Sequence, residues 1–291
     1  MHILLVHNGE AGDAADHPEA IADHICRHGH SVISRGLNEG WCSELRQAVD
    51  VVVVAGGDRT VSTVARQLAR TKIPLAVLPM GTANNVAAAL DVLDLDVDQQ
   101  VRRWEHGTHR CCDIGYALNA RTDGRFLESV GVGLLAEVMV RAAGAPAAFI
   151  DRLVDPVRRL AAARAMTVST LATQEPVSAE LTLDGFEMSG RFLFVEVMNF
   201  GSAGPGLQLV PGADWSDGAF DVVWAEEHHR DSLLRDLTQA DAGGAISTPL
   251  PMKRARQVGL TTDSRAHVDD RVVEDPFRLT LTVDRQALTF A

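Results

Sequence analysis

The sequence predicts an α/β domain built on a doubly wound parallel sheet, followed by an antiparallel all-β domain, a sandwich. Three observations carry this. Over roughly the first 110 residues, apolar runs of strand length alternate with amphipathic helical patterns, the order of a parallel sheet with crossover helices. Two of those runs lead directly into glycine loops followed by helical patterns. They are Val49–Ala55 into Gly56-Gly57-Asp58-Arg59-Thr60, and Ile73–Pro79 into Met80-Gly81-Thr82-Ala83-Asn84-Asn85. Beyond about residue 110 the texture changes to short β-like runs separated by turn residues.

Taken in order, Ile3–Val6 reads as a buried strand, and Pro18 to Arg27 as a helix with Ile21, Ala22 and Ile25 on one face. Ser31–Ile33 is a short strand candidate. The near-continuous valines of Val49–Ala55 predict a strand covered on both faces. From Val61, the positions Val61, Val64, Ala65, Leu68 and Ala69 follow the stripe of a helix packed on a sheet. In the second half the strand candidates are Val177–Leu183, Arg191–Met198, Ala219–Trp224, Gln257–Thr261 and Leu279–Val283. Turns at Asp184-Gly185, Gly201–Gly206 and Asp217-Gly218 separate them. The expected division is 1–112 and 113–277, with a last strand at about 278–291 a candidate to return to the first domain.

The 291 residues are 46% apolar and 23% charged, which excludes wholesale disorder. A net charge of −12 argues against a nucleic-acid-binding role. Cys26, Cys42, Cys111 and Cys112 have no metal or disulfide spacing, so buried or inert thiols in a reducing cytoplasm are expected. The amino terminus lacks the basic start of a signal peptide, and no run approaches the length of a transmembrane segment. The expected location is cytoplasmic, peripheral at the inner membrane surface if lipid is involved.

One segment stands out by charge. Between Arg141 and Ala165, five arginines (141, 152, 158, 159 and 164) face two aspartates (151 and 155), in an otherwise acidic chain. Within Phe149–Met166, positions 149, 150, 153, 154, 157, 160 and 161 fall on one helical face, and Asp155-Pro156 reads as an N-cap followed by proline. The segment is either an ordinary surface helix or a cationic face for anionic lipid headgroups.

The two glycine loops carry the chemistry. Gly56 and Gly57 admit φ > 0 and close backbone approach to a phosphate, and the helix start after them supplies partial positive charge. Asp58 is a candidate Mg²⁺ ligand or acceptor for ribose or water. Thr60 offers a hydroxyl to a phosphate, and Gly81, Thr82, Asn84 and Asn85 repeat the kit. His24 and His28 stand i, i+4 on a helix, but without the accompanying glutamate of a zinc site they read as a solvent-facing pair. Cys111 and Cys112 read as buried strand residues.

These residues resemble the diacylglycerol kinase catalytic family, specifically the bacterial soluble lipid kinases, which share their fold with NAD kinases. The family's GGDGT loop matches Gly56, Gly57, Asp58 and Thr60; its P-x-GT-x-N-[DN] loop matches Pro79, Gly81, Thr82, Asn84 and Asn85. An amino-terminal HNxxAG pattern matches His7, Asn8, Ala11 and Gly12. Downstream, Glu128–Gly133, Asn199, Pro211-Gly212-Ala213 and Asp217-Gly218-Ala219-Phe220-Asp221 resemble further family blocks. The resemblance implies phosphoryl transfer from ATP to a lipid hydroxyl at a membrane surface. It places Asn8, Gly56–Thr60 (Arg59 included) and Gly81–Asn85 around the nucleotide. It implies Mg²⁺, with Asp217 as a structural metal ligand, and a homodimer is a candidate assembly.

In the family a late DGE motif supplies the carboxylate that orients the nucleophile. Here His267-Val268-Asp269-Asp270-Arg271 matches it, so Asp269 is the candidate base; read without the resemblance, it is a turn aspartate between strands. The chain departs from the pattern at Arg59, where the family has glycine, at Ser216, and at Asp270-Arg271. An arginine at a position needing φ > 0 would be strained, or its guanidinium could reach a phosphate. Two rivals follow: a nucleotide- or lipid-binding relative without transfer activity, and a kinase of a small soluble substrate such as a dinucleotide.

Overall fold

The computed structural model describes residues 1–8, 17–119, 124–144, 155–239, 245–274 and 277–291. Ala11 and Gly12 of the amino-terminal pattern, and positions 149–154 of the basic segment with Arg152, lie outside the described residues. The chain separates into two compact units, Met1–Cys112 with Gln286–Ala291, and Asp113–Arg285.

The first unit runs β1 (His2–His7), α1 (Pro18–Arg27), β2 (Ser31–Gly36), β3 (Val51–Gly56), α2 (Asp58–Leu68), β4 (Leu75–Pro79), α3 (Asn85–Ala89) and α4 (Val97–His106). The strands pair in the order β2-β1-β3-β4, all parallel. The closing segment of the chain adds a further parallel partner to β4, with Phe290 opposite Leu75. Val51 to Val54 are buried on both sheet faces, as their unbroken run requires. One face, with Ile3, Leu5, Val51 and Val53, packs Ile21 and Ile25 of α1 and Val101 and Trp104 of α4. On α2 the stripe Val61, Val64, Ala65 and Leu68 is fully buried, each larger side chain contributing about 1.5–3 kcal/mol. The helix begins three residues earlier than its apolar stripe, so Asp58, Arg59 and Thr60 belong to its first turn and not to a free loop.

The second unit continues with β5 (Arg110–Leu118), β6 (Arg125–Phe126), β7 (Ser129–Gly133), α5 (Leu134–Gly144), α6 (Pro156–Thr173), β8 (Val177–Leu183), β9 (Phe186–Met198), β10 (Ser202–Ala203) and β11 (Leu207–Gln208). There follow β12 (Phe220–Glu226), α7 (Arg230–Gln239), β13 (Met252–Ala255), β14 (Gln257–Thr262), β15 (Ala266–Val268), β16 (Arg271–Val273) and β17 (Phe277–Phe290). Its strands run antiparallel in the order β16-β15-β7-β9-β8-β14-β17, with β12 also on β9 and β13 on β12. Side chains such as Val130, Val132, Val195, Val197, Leu260 and Leu281 fill the sandwich interior. A second core lies between the sheet, through Leu193, Met198 and Val223, and the helices, through Leu135, Leu171 and Leu233. The β8–β9 hairpin turns on Asp184 and Gly185, both at left-handed φ (48° and 89°), as the Asp-Gly pair predicts.

Asp155 caps α6 by accepting from the Val157 N–H at 2.9 Å, with Pro156 at the first helical position, as expected. The expected apolar face is not the buried one. Val157 is 74% exposed, and burial shifts to Thr167, Thr170 and Leu171, because the helix runs on to Thr173 and anchors by that end. The cysteine expectation also changes: Cys26, Cys42 and Cys111 are exposed and Cys112 alone is buried, all four being free thiols. Among the described residues, no helix is long and apolar enough to cross a membrane.

Candidate active site

The two glycine loops leave neighbouring parallel strands, β3 and β4, at their carboxyl ends, the edge where open α/β sheets bind ligands. They are locked to each other. A Cβ built on Gly57 would lie 2.7 Å from the Gly81 Cα, and one on Gly81 would lie 2.3 Å from the Gly57 Cα. Both positions are glycine because two main chains touch there. Neither Gly56, Gly57 nor Gly81 has positive φ, so the anticipated left-handed turn is absent; Gly57 is extended, at φ −91° and ψ −175°.

Three of the expected ligand groups serve this lock. Asp58 accepts from the Val86 N–H at 3.1 Å, and the Asn84 and Asn85 amides also donate to it. Its carboxylate is desolvated, which pushes its pKa up, while those amides pull it back. It therefore caps α3 from across the gap. Asn84, at left-handed φ 53°, clamps Gly81: its Oδ1 accepts from the Gly81 N–H at 2.8 Å and its Nδ2 donates to the Gly81 carbonyl at 3.0 Å. Thr60 is buried against the bare face of Gly56, where a Cβ would come within 2.7 Å of its side chain. Asn85 is buried, and Thr82 is half-buried beside it.

What remains open toward solvent is the start of α2, which no side chain caps, with exposed Arg59 in its first turn, and exposed Asn8 after β1. Arg59 is helical, so replacing a glycine there carries no backbone strain. The positive end of the α2 dipole and the arginine form a cationic lip suited to phosphate. His24 and His28 are not simply solvent-facing: both rings bond Asp98 of α4, at 3.3 and 3.1 Å.

In the second unit, Asp269 is the first of two residues joining β15 to β16 and has φ 49°. Its carboxylate accepts from the backbone N–H groups of Leu127 (2.9 Å), Glu128 (2.8 Å) and Ser129 (3.4 Å). Asn199 braces the same segment, donating to the carbonyls of Leu127 and Asp113 at 2.9 Å each. Asp270, where the family has glycine, does not have positive φ, so that replacement is also unstrained. Beneath the turn lies a pair that sequence reasoning missed: His267 Nε2 stands 2.9 Å from Glu196 Oε2, with both side chains buried. The available signal was a single glutamate inside the apolar run Phe192–Met198.

Asp217 is engaged differently from expectation. Its Oδ1 accepts from the Ala219 N–H at 3.0 Å, and its Oδ2 pairs with the Arg254 guanidinium, which also stands 3.7 Å from Asp221. Burial, and then the charge of Asp214, raise the Asp221 pKa. Among the described residues, no group of three or more His, Cys, Asp or Glu side chains is arranged to hold a metal ion. These residues do not fit a structural cation, since an arginine supplies the positive charge. Chelation with EDTA is expected to leave the melting temperature of the chain unchanged. Arg254→Gln should lower stability by about 1 kcal/mol or less. A melting temperature that falls on chelation would show that the arginine does not suffice.

The family model for the diacylglycerol kinase catalytic domain matches residues 2–117, and that for the YegS C-terminal NAD kinase beta sandwich-like domain matches residues 139–289. The two matches define the class as the two-domain lipid kinase family. The chain belongs to the family that joins these two domains, the YegS-like diacylglycerol kinases.

A diacylglycerol kinase of Mycobacterium tuberculosis is 29% identical over 191 residues, covering 65% of this chain and 59% of that protein. One from Bacillus subtilis is 25% identical, covering 68% of this chain and 62% of the other. A Citrobacter koseri protein named "Probable lipid kinase YegS-like" is 26% identical, covering 82% and 79%. The chain thus spans about three fifths of the first two relatives. The crystal structure of a diacylglycerol kinase from Bacillus anthracis superposes with a TM-score of 0.73 at 18% identity, covering 99% of this chain and 96% of that one, and shares the fold.

Proposed function

We propose that the chain is an ATP-dependent kinase that phosphorylates the hydroxyl of diacylglycerol or a related lipid. The observation that carries this reading is the lock between the Gly57 and Gly81 loops, which sets the positive end of α2 beside exposed Arg59. The names of the relatives favour diacylglycerol as the acceptor. Asn8, Gly56–Thr60 and Gly81–Asn85 receive the nucleotide. Within that set, the α2 amides, Arg59 and Thr82 face the phosphates, while Asp58, Thr60 and Asn84 hold the loops in shape.

ATP supplies the transferable γ-phosphoryl group, and its Mg²⁺ accompanies the phosphates rather than occupying the Asp217 position. Asp269 orients the acceptor hydroxyl and takes its proton as the oxygen bonds to phosphorus and ADP leaves. Membrane contact is assigned to the basic stretch that includes exposed Arg158.

The test is transfer of labelled γ-phosphate from Mg·ATP to diacylglycerol in vesicles, with NAD⁺ as a soluble alternative acceptor. The native chain is expected to label the lipid. Arg59→Gly should weaken Mg·ATP binding, and glycine within the helix should destabilise α2 by up to about 1 kcal/mol. Activity appearing only after that change would favour the transfer-deficient reading. Labelling of NAD⁺ alone would favour the soluble-substrate reading, and silence with both acceptors would overturn the kinase assignment.

A further inference from the structure

Asp269 is held by its side chain from one direction and by its main chain from another, and the second hold comes from side chains outside Asp269–Arg271. Glu196 on β9, Gly131 on β7 and His267 on β15 are opposite one another in consecutive antiparallel registers. Glu196 and His267 therefore project from strands on either side of Gly131. A Cβ at Gly131 would lie 2.3 Å from the carboxylate atoms of Glu196, so the missing side chain is what lets the two meet. His267 Nε2 is 2.9 and 3.0 Å from the two Glu196 oxygens, and His267 Nδ1 is 3.0 Å from the Asp269 carbonyl. The Glu196 and His267 side chains are 0% and 3% exposed.

A carbonyl only accepts, so Nδ1 carries the proton of that bond, and Nε2 faces a carboxylate. The ring is pinned at both nitrogens. Its grip falls on the carbonyl of a non-glycine residue at φ 49°, a conformation that needs outside support. Burial would lower the His267 pKa, but Glu196 and then Asp269 outweigh it and raise the value above the ordinary histidine range.

We propose that Glu196 and His267 are positioning residues of the phosphoryl transfer, acting by fixing the main chain of Asp269 so that its carboxylate meets the acceptor hydroxyl. The inference rests on the reading of Asp269 as the proton acceptor. Neither residue touches the substrate. The chemistry calls for such a support because a misplacement of about 1 Å at a reacting group lowers a rate by about 10²-fold.

The experiment compares His267→Asn, His267→Gln, Glu196→Gln and Asp269→Asn in the full chain, measuring kcat for lipid, KM for ATP and melting temperature. Asparagine places an N–H near the position of Nδ1, and glutamine near that of Nε2. Glu196→Gln and His267→Gln should lower kcat by about tenfold or more, with KM for ATP unchanged. His267→Asn should recover most of that loss, and neither His267→Gln nor Glu196→Gln should reduce the rate further when combined with Asp269→Asn. Unchanged kcat in folded His267→Gln and Glu196→Gln, with Asp269→Asn inactive, would overturn the positioning role and leave the base assignment standing. Full activity in Asp269→Asn would sink the base assignment, and this proposal with it. If the variants do not fold, nitrogen NMR of the native ring decides. Protons on both nitrogens are expected, and a bare Nδ1 would overturn the proposal.

Discussion

Asp269→Asn is expected to lower phosphoryl transfer to lipid by about 10²–10⁴-fold while Mg·ATP still binds. The range is that of a positioned general base. A stability change accompanies it, because the native carboxylate accepts from three backbone N–H groups of the Leu127–Ser129 segment. An asparagine keeps one acceptor oxygen and turns an NH2 group toward those donors. The lost charge-assisted bonding should lower stability by about 1.5–3 kcal/mol. The rate must therefore be measured at a temperature where circular dichroism shows the variant folded. Transfer at the native rate under those conditions would leave Asp269 as a turn residue only.

Gly81→Ala is expected to be nearly as damaging, and at the nucleotide step. Its new methyl would stand 2.3 Å from the Gly57 Cα and 2.7 Å from Asn84 Oδ1, neither of which is the free end of a flexible side chain. The loops must part, losing the Asn84 clamp and the reach of Asp58 to the α3 amides. Overpacking of this kind typically destabilises by about 1–3 kcal/mol. If half of that falls on the binding-competent form, Mg·ATP affinity drops by about two- to tenfold. Gly57→Ala, with a 2.7 Å approach to Gly81, should behave alike. Gly144→Ala, where the added methyl meets nothing within 4 Å, is the control. Calorimetry with Mg·ATP reads the outcome, and native affinity in both loop variants would remove the lock from the binding argument.

Much of the architecture was legible because it is written in local periodicity. The valine run of β3, the stripe of α2, the helix Pro18–Arg27 and the Asp184-Gly185 turn each follow from neighbours a few residues apart. The site was legible as an inventory and much less as a set of roles. Asp58 reads as a ligand until Val86, in the first turn of α3, is seen to donate to it. Gly57 and Gly81 read as flexible turns until each is found against the other. Arg59 reads as a strained replacement only while it is assigned to a loop rather than to a helix. Asp217 gives no hint of Arg254, 37 positions away. Glu196 and His267, 71 positions apart, meet only because a third strand carries glycine between them. Contacts of that range have no periodic signature.

The last strand has a consequence for how the protein is made. Leu288 and Phe290 are buried in the unit that begins at Met1, Arg70 donates to the Ala287 carbonyl, and Ala291 donates to that of Leu75. A nascent chain emerging from the ribosome therefore cannot complete its amino-terminal sheet until residue 290 has been synthesised, with all of the second unit in between. Until then β4 is an open edge, and the half-made layer has a surface onto which a chaperone or a neighbouring nascent chain could pair.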